Sequence, residues 1–129
     1  MLLSEYLSSL VKLIDEYSRT DLIIDSELTT DFRTEKIGII KGSLTFSNNS
    51  RLIFTEYLDL RYKAKKLNYS FHYQKHDGAL IFRYDNAEHK PPVNASGHKH
   101  LPNGKIAAAE APSFETIFEE IMDFLLQGE

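Results

Sequence analysis

Apolar residues at Leu3, Leu7, Leu10, Ile14 and Tyr17 recur every three or four positions, with Tyr6, Val11 and Leu13 beside them. That stripe predicts an amphipathic helix of about four turns ending near Ser18-Arg19. A second stripe, Phe114, Ile117, Phe118, Ile121, Leu125 and Leu126, predicts a closing helix. Pro112-Ser113 supplies its stop and N-cap, Glu115 suits its first turn and Gly128 its C-cap. Between the helices the period changes to two. Leu22 to Phe32 reads as a polar edge strand, and Ile37–Phe46 with Leu52–Leu58 as a hairpin around Ser47-Asn48-Asn49-Ser50. Leu67–Gln74 and Ala79–Asp85 read as another hairpin, closed by His76-Asp77-Gly78. Asn86 to Asn103, with Pro91-Pro92, Gly97 and Pro102, reads as one long loop, and loops of that length usually carry function or lack order. The expected fold is α+β: an antiparallel meander of about five strands, flanked by an N-terminal and a C-terminal helix in two layers, as a single domain over residues 1–129.

The second hairpin is the more informative. With Asp77-Gly78 as a two-residue turn, Tyr73 faces Phe82, Phe71 faces Tyr84, His72 faces Arg83 and Ser70 faces Asp85. Tyr69, Phe71, Tyr73, Leu80, Phe82 and Tyr84 then share one aromatic face suited to packing beneath the helices. The other face carries Asn68, Ser70, His72, Gln74, Ile81, Arg83 and Asp85. A slip of one residue would leave both faces unmatched. The turn of the first hairpin stays open between Asn48-Asn49 and Asn49-Ser50, which leaves the face of Glu56 undecided. That carboxylate is either an ordinary outward residue or a second acid beside the site.

Composition sharpens the picture. A hydrophobic content of 42% with 8 Phe and 7 Tyr fills a core and excludes general disorder. The absence of Cys excludes a disulfide scaffold, thiolate metal sites and cysteine nucleophiles. No apolar run is long enough to span a membrane, and Met1-Leu2-Leu3-Ser4-Glu5 lacks the basic start of a signal peptide, so a cytoplasmic location is expected. The net charge of -4 is unevenly spread. Residues 59–105 hold nine Lys/Arg against four acids, and all five His, while the remainder holds six bases against fifteen acids. Such a basic, His-rich region points to an anionic partner.

His72, Arg83 and Asp85 in adjacent rows of an open sheet face can do chemistry. Histidine moves protons near neutrality, arginine grips phosphate bidentately, and aspartate orients an imidazole. The following stretch adds His89, His98, Lys99 and His100, and extended backbone through His98-Lys99-His100 puts both imidazoles on one side. The pair would also suit a divalent metal, but the spacing matches no established metal motif and Arg83 and Lys99 would repel a cation, so neither metal nor other cofactor is expected. No phosphate-cradling glycine loop, nucleophile elbow or HExxH motif is present.

The run Tyr69-Ser70-Phe71-His72-Tyr73, followed by Ile81-Phe82-Arg83-Tyr84-Asp85-Asn86-Ala87-Glu88-His89 and Gly97-His98-Lys99-His100, resembles the signature of the TumE-type toxins. Glu56-Tyr57-Leu58-Asp59 and the closing amphipathic helix fit the same pattern, so the resemblance runs from about residue 37 to the C-terminus. It departs where the family has further His and Pro and this chain has Lys90-Pro91-Pro92-Val93-Asn94-Ala95-Ser96. The resemblance implies a growth-inhibiting toxin of a type II toxin–antitoxin pair, neutralised by a helix-turn-helix antitoxin; it implies no particular reaction.

Residue chemistry adds RNA as the expected target, through metal-independent phosphodiester cleavage. His72 or His98 would be the base, His100 or His89 the acid, and Asp85 the orienting carboxylate, with Arg83 and Lys99 stabilising the charged phosphorane. Asn86, Glu56 and Lys90 would bind substrate. The alternatives are a non-enzymatic module whose basic loop holds an anionic partner, and a metal-dependent hydrolase or nucleotide-modifying enzyme. A homodimer is left open.

Overall fold

A computed structural model describes residues 1–87 and 97–127. His89, Lys90 and the Gly128 C-cap therefore lie outside the described residues. The first stripe becomes α1 (Leu3–Arg19), whose Glu5 carboxylate accepts from the Leu2 amide at 2.8 Å and satisfies one of the free donors of the first turn. The second becomes α2 (Phe114–Leu126), capped by Ser113 Oγ, which accepts from the Thr116 amide at 3.1 Å.

Seven strands separate the helices, two more than expected: β1 (Ile23–Phe32), β2 (Ile37–Phe46), β3 (Arg51–Asp59), β4 (Lys65–Gln74), β5 (Leu80–Asp85), β6 (His98–His100) and β7 (Ile106–Ala108). They form one antiparallel sheet in sequence order, a plain meander with β1 at one edge and β7 at the other. Of the two added strands, β6 comes from chain read as loop and β7 from the stretch between that loop and the closing helix. Three residues between glycine and proline show no periodicity of their own, and β6 forms because β5 offers a free edge beside it.

Both turns differ from the two-residue form expected. In the first, Phe46 donates to Ser50 O at 2.9 Å and Asn49 takes φ 66°, so Ser47-Asn48-Asn49 is a three-residue loop with Asn in the place glycine usually holds. In the second, Lys75 donates to Ala79 O at 2.8 Å and Gly78 takes φ 90°, again three residues. The predicted register nevertheless stands from Tyr73↔Phe82 to Ser70↔Asp85. Gln74 pairs with Leu80, which leaves Ile81 as a bulge that restores the alignment lost at the turn.

Both helices cover the same face of the sheet. Ile40, Leu44, Leu52, Phe54, Phe71, Tyr73 and Phe82 are buried there beneath Leu3, Leu10 and Ile14 of α1 and Phe114, Ile117, Phe118 and Ile121 of α2. Phe114 meets the rings of Phe54 and Phe71 edge-on with centroids 4.9 and 5.2 Å away, and Tyr17 of α1 meets Phe118 of α2 at 5.0 Å. Each such aromatic removed from water contributes about 2–3 kcal/mol, which makes this layer the main source of stability. The expected aromatic layer is therefore closed: Tyr69 and Tyr84 are buried and cannot stack bases.

Candidate active site

Among the described residues no helix covers the second face of the sheet, and the polar positions of β4, β5 and β6 meet on it. Register sets this directly: His72 pairs with Arg83, Arg83 with His100, Ser70 with Asp85 and Asp85 with His98. Asp85, only 4% exposed, is the hub. Its Oδ2 accepts from Arg83 Nε at 2.9 Å and lies 3.2 Å from His100 Nε2, while His98 Nδ1 stands 3.8 Å from its Oδ1. Arg83 continues the chain, its Nη1 lying 3.3 Å from His72 Nδ1, and His72 Nε2 lies 3.1 Å from Gln74 Oε1.

The tautomer of a neutral His72 follows from its neighbours. An amide oxygen and a guanidinium N–H fix Nε2 as donor and Nδ1 as the lone-pair nitrogen. Burial and the adjacent Arg83 charge hold His72 below the ordinary histidine range, against a smaller opposing effect of Gln74, so its ring is neutral at pH 7. Burial pushes Asp85 up, but hydrogen bonds from Arg83 and His100 outweigh it and hold the carboxyl below its ordinary range. His100 turns its Nε2 to that carboxylate. Arg83, Gln74 and His100 reach solvent in part, whereas His98, paired with Asp85, is 4% exposed.

Three expected members lie elsewhere. Lys99 alternates to the helix-covered face, where Nζ is 2.7 Å from Glu120 Oε2 of α2 and Tyr84 donates to Glu120 Oε1 at 2.6 Å. It cannot stabilise charge at the His cluster, and its repulsion of a cation there disappears with it. Burial lowers the proton affinity of Lys99, but Glu120 and Tyr84 more than reverse this and hold it above the ordinary lysine range. Glu56 is neither outward nor beside the cluster. Fully buried on the helix side, it accepts from Tyr6 Oη at 2.7 Å and pairs with Lys66 at 2.7 Å. Asn86 is engaged at both ends, accepting from the Tyr69 amide at 3.0 Å and donating to Leu67 O at 3.1 Å. Its side chain extends the β4–β5 ladder.

Four of the nine cations of this region, Arg61, Lys66, Arg83 and Lys99, are each paired with a carboxylate, while Lys63, Lys65, Lys75 and Lys105 are exposed. Sequence reasoning missed Gln74 and Glu120 as partners; the alternation of β4 carries a signal for Gln74, while nothing local points to Glu120. Among the described residues no three His, Asp or Glu side chains come together as a metal site, and no helix among them is long and apolar enough to cross a membrane.

The alignment of this chain with protein families places residues 10–127 on the model described as "Toxin TumE". That match reaches further toward the N-terminus than the resemblance read from motifs and takes in β1 and most of α1. No curated protein and no solved structure matches the chain.

Proposed function

Because the chain belongs to the TumE toxin family, whose members imply an antitoxin as partner, we propose that it is the toxin of a type II pair and acts by cleaving RNA at the open sheet face. The observation that carries this reading is the hydrogen-bonded chain Gln74–His72–Arg83–Asp85–His100 along that face. It combines a neutral imidazole, a guanidinium held from both sides and a carboxylate-oriented imidazole within three adjacent strands.

In this reading a phosphodiester seats against the outer N–H groups of Arg83, which displace Nη1 from His72. His72 Nδ1 then takes the proton of the ribose 2′-hydroxyl as its oxygen attacks phosphorus. Arg83 stabilises the negative charge that gathers on the phosphorane oxygens. His100, steered by Asp85, gives a proton to the departing 5′-oxygen, leaving a 2′,3′-cyclic phosphate and a 5′-hydroxyl. His98 supports Asp85. No residue in this scheme requires a metal. A helix-turn-helix antitoxin would neutralise the protein in the cytoplasm.

The test is incubation of the purified protein with labelled RNA, with and without EDTA, beside His72→Ala, Arg83→Ala and His100→Ala. Cleavage that survives EDTA and falls at least about 100-fold in each variant supports the reading. Cleavage lost with EDTA overturns its metal independence, and intact RNA throughout overturns the reaction.

A further inference from the structure

We infer that a shallow depression next to His72, on the open faces of β1, β2 and β3, is a nucleotide subsite for an RNA strand held at Arg83; the inference rests on the reading above. The depression has a volume of about 210 Å³ and is lined on this face by Glu27, Thr29, Lys41, Ser43, Ile53 and Thr55. Register ties it to the cluster: Ile53 pairs with His72 and Thr55 with Ser70, so its wall is the strand next to the proposed base. Two strand spacings, about 10 Å, separate Ile53 from Arg83.

Its lining suits a nucleoside and its phosphate. Ile53 is 39% exposed, an apolar side chain on the same face as Ile39 and Tyr57, against which a base can lie flat. Thr29, Ser43 and Thr55 bring hydroxyls that donate or accept. Lys41 is exposed and makes no ion pair among the described residues, unlike Arg83, Lys66 and Lys99. Arg51 stands at the same rim, where Nη2 donates to Ser43 Oγ at 2.8 Å and fixes that hydroxyl. Beyond Lys41 the face turns acidic with Asp25, Glu27 and Asp31 of β1. A polyanion entering from Arg83 therefore meets cations as far as Lys41 and is repelled past it. Glu27, at the far wall, is left to accept from the exocyclic N–H of a base.

Binding and cleavage test the two readings separately. A fluorescein-labelled 2′-O-methyl octaribonucleotide, which has no free 2′-hydroxyl, reports affinity by anisotropy without turnover. Lys41→Gln should weaken binding about three- to tenfold and lower the salt slope by about 0.7, the contribution of one single-strand phosphate contact. Thr55→Tyr, which fills the depression with a good strand former, should weaken it comparably. Lys12→Gln, on the exposed side of α1, should leave it unchanged. If both open-face variants bind and cleave an unmodified octamer as the parent protein does, the subsite is overturned while the cleavage reading stands. If binding depends on Lys41 but the unmodified octamer stays intact, the cleavage reading falls and the subsite stands. An octamer that does not bind at all overturns both.

Discussion

Lys99 Nζ stands 2.7 Å from Glu120 Oε2, on the side of the sheet away from its chain neighbours His98 and His100. One strand residue thus ties β6 to α2, while the residues on either side of it reach the open face. The pair is about 30% exposed, which limits its contribution to about 1 kcal/mol after solvent screening. Lys99→Met should lower the urea midpoint slightly and leave RNA cleavage within about threefold. A double-mutant cycle with Glu120→Gln should recover a coupling of about 1 kcal/mol. A collapse of activity in Lys99→Met with normal folding would return the lysine to the reaction.

Glu56 offers the opposite case, a carboxylate buried completely. Glu56→Gln leaves Lys66, itself largely buried, without its counter-charge, and leaves Tyr6 an uncharged amide oxygen as acceptor. Burial and the Glu56 charge both push the Tyr6 hydroxyl well above its ordinary range, so that phenol stays a donor at any working pH. The substitution should cost about 3 kcal/mol in chemical unfolding. Turnover per folded molecule should not change, because the pair lies behind the sheet.

Stability should fall in two steps as the solution is acidified. His72 is held below its unfolded value of 6.5, so the unfolded chain takes up its proton first. Its stabilisation is complete above about pH 6.5 and is lost as pH falls from there through the folded value. Asp85 is held below 3.8, so its stabilisation is present above that pH and is lost as pH falls through its own folded value. Urea midpoints measured from pH 8 to 3 should show both losses, with His72→Gln removing the upper and Asp85→Asn the lower. The acidic limb of the cleavage profile should lie below 6.5 in the unaltered protein.

Gly97 sets the start of β6. A Cβ there would come within 2.4 Å of both Ala109 O and Tyr69 Oη, a backbone atom and a buried ring. Gly97→Ala should therefore destabilise by about 2 kcal/mol and reduce cleavage more than stability alone explains, since His98 and His100 follow it directly. Amide exchange at Lys99 and His100 would report the loosened strand. Unchanged exchange would show that the neighbours simply yield.

The pairing of His72 with Arg83 was legible because the alternation of Tyr69, Phe71 and Tyr73 against Leu80, Phe82 and Tyr84 allows only one alignment; the turn residues carried less. Asn49 and Gly78 both sit at positive φ in three-residue loops, and in the second hairpin the Ile81 bulge cancels the difference. In the first hairpin nothing in the turn chooses among registers, so the burial of Glu56 could not be read. Likewise His98-Lys99-His100 showed that two imidazoles share a side only if the backbone is extended. Which strand they join depends on the unfilled edge of β5, a long-range fact with no local trace. Glu120 as the partner of Lys99 is invisible for the same reason.

The helix that seals the aromatic layer follows the site in the chain. When His72, Arg83, Asp85 and His100 have left the ribosome, Phe114, Phe118 and Ile121 have not, and the rings of Phe54, Phe71 and Tyr73 have no lid. A sheet of this width cannot hold its strands in place with only α1 on its aromatic face and the rings under α2 bare to water. The growing polypeptide thus carries the residues of the proposed site before it can align them, and a chain broken off ahead of α2 leaves an unfolded fragment.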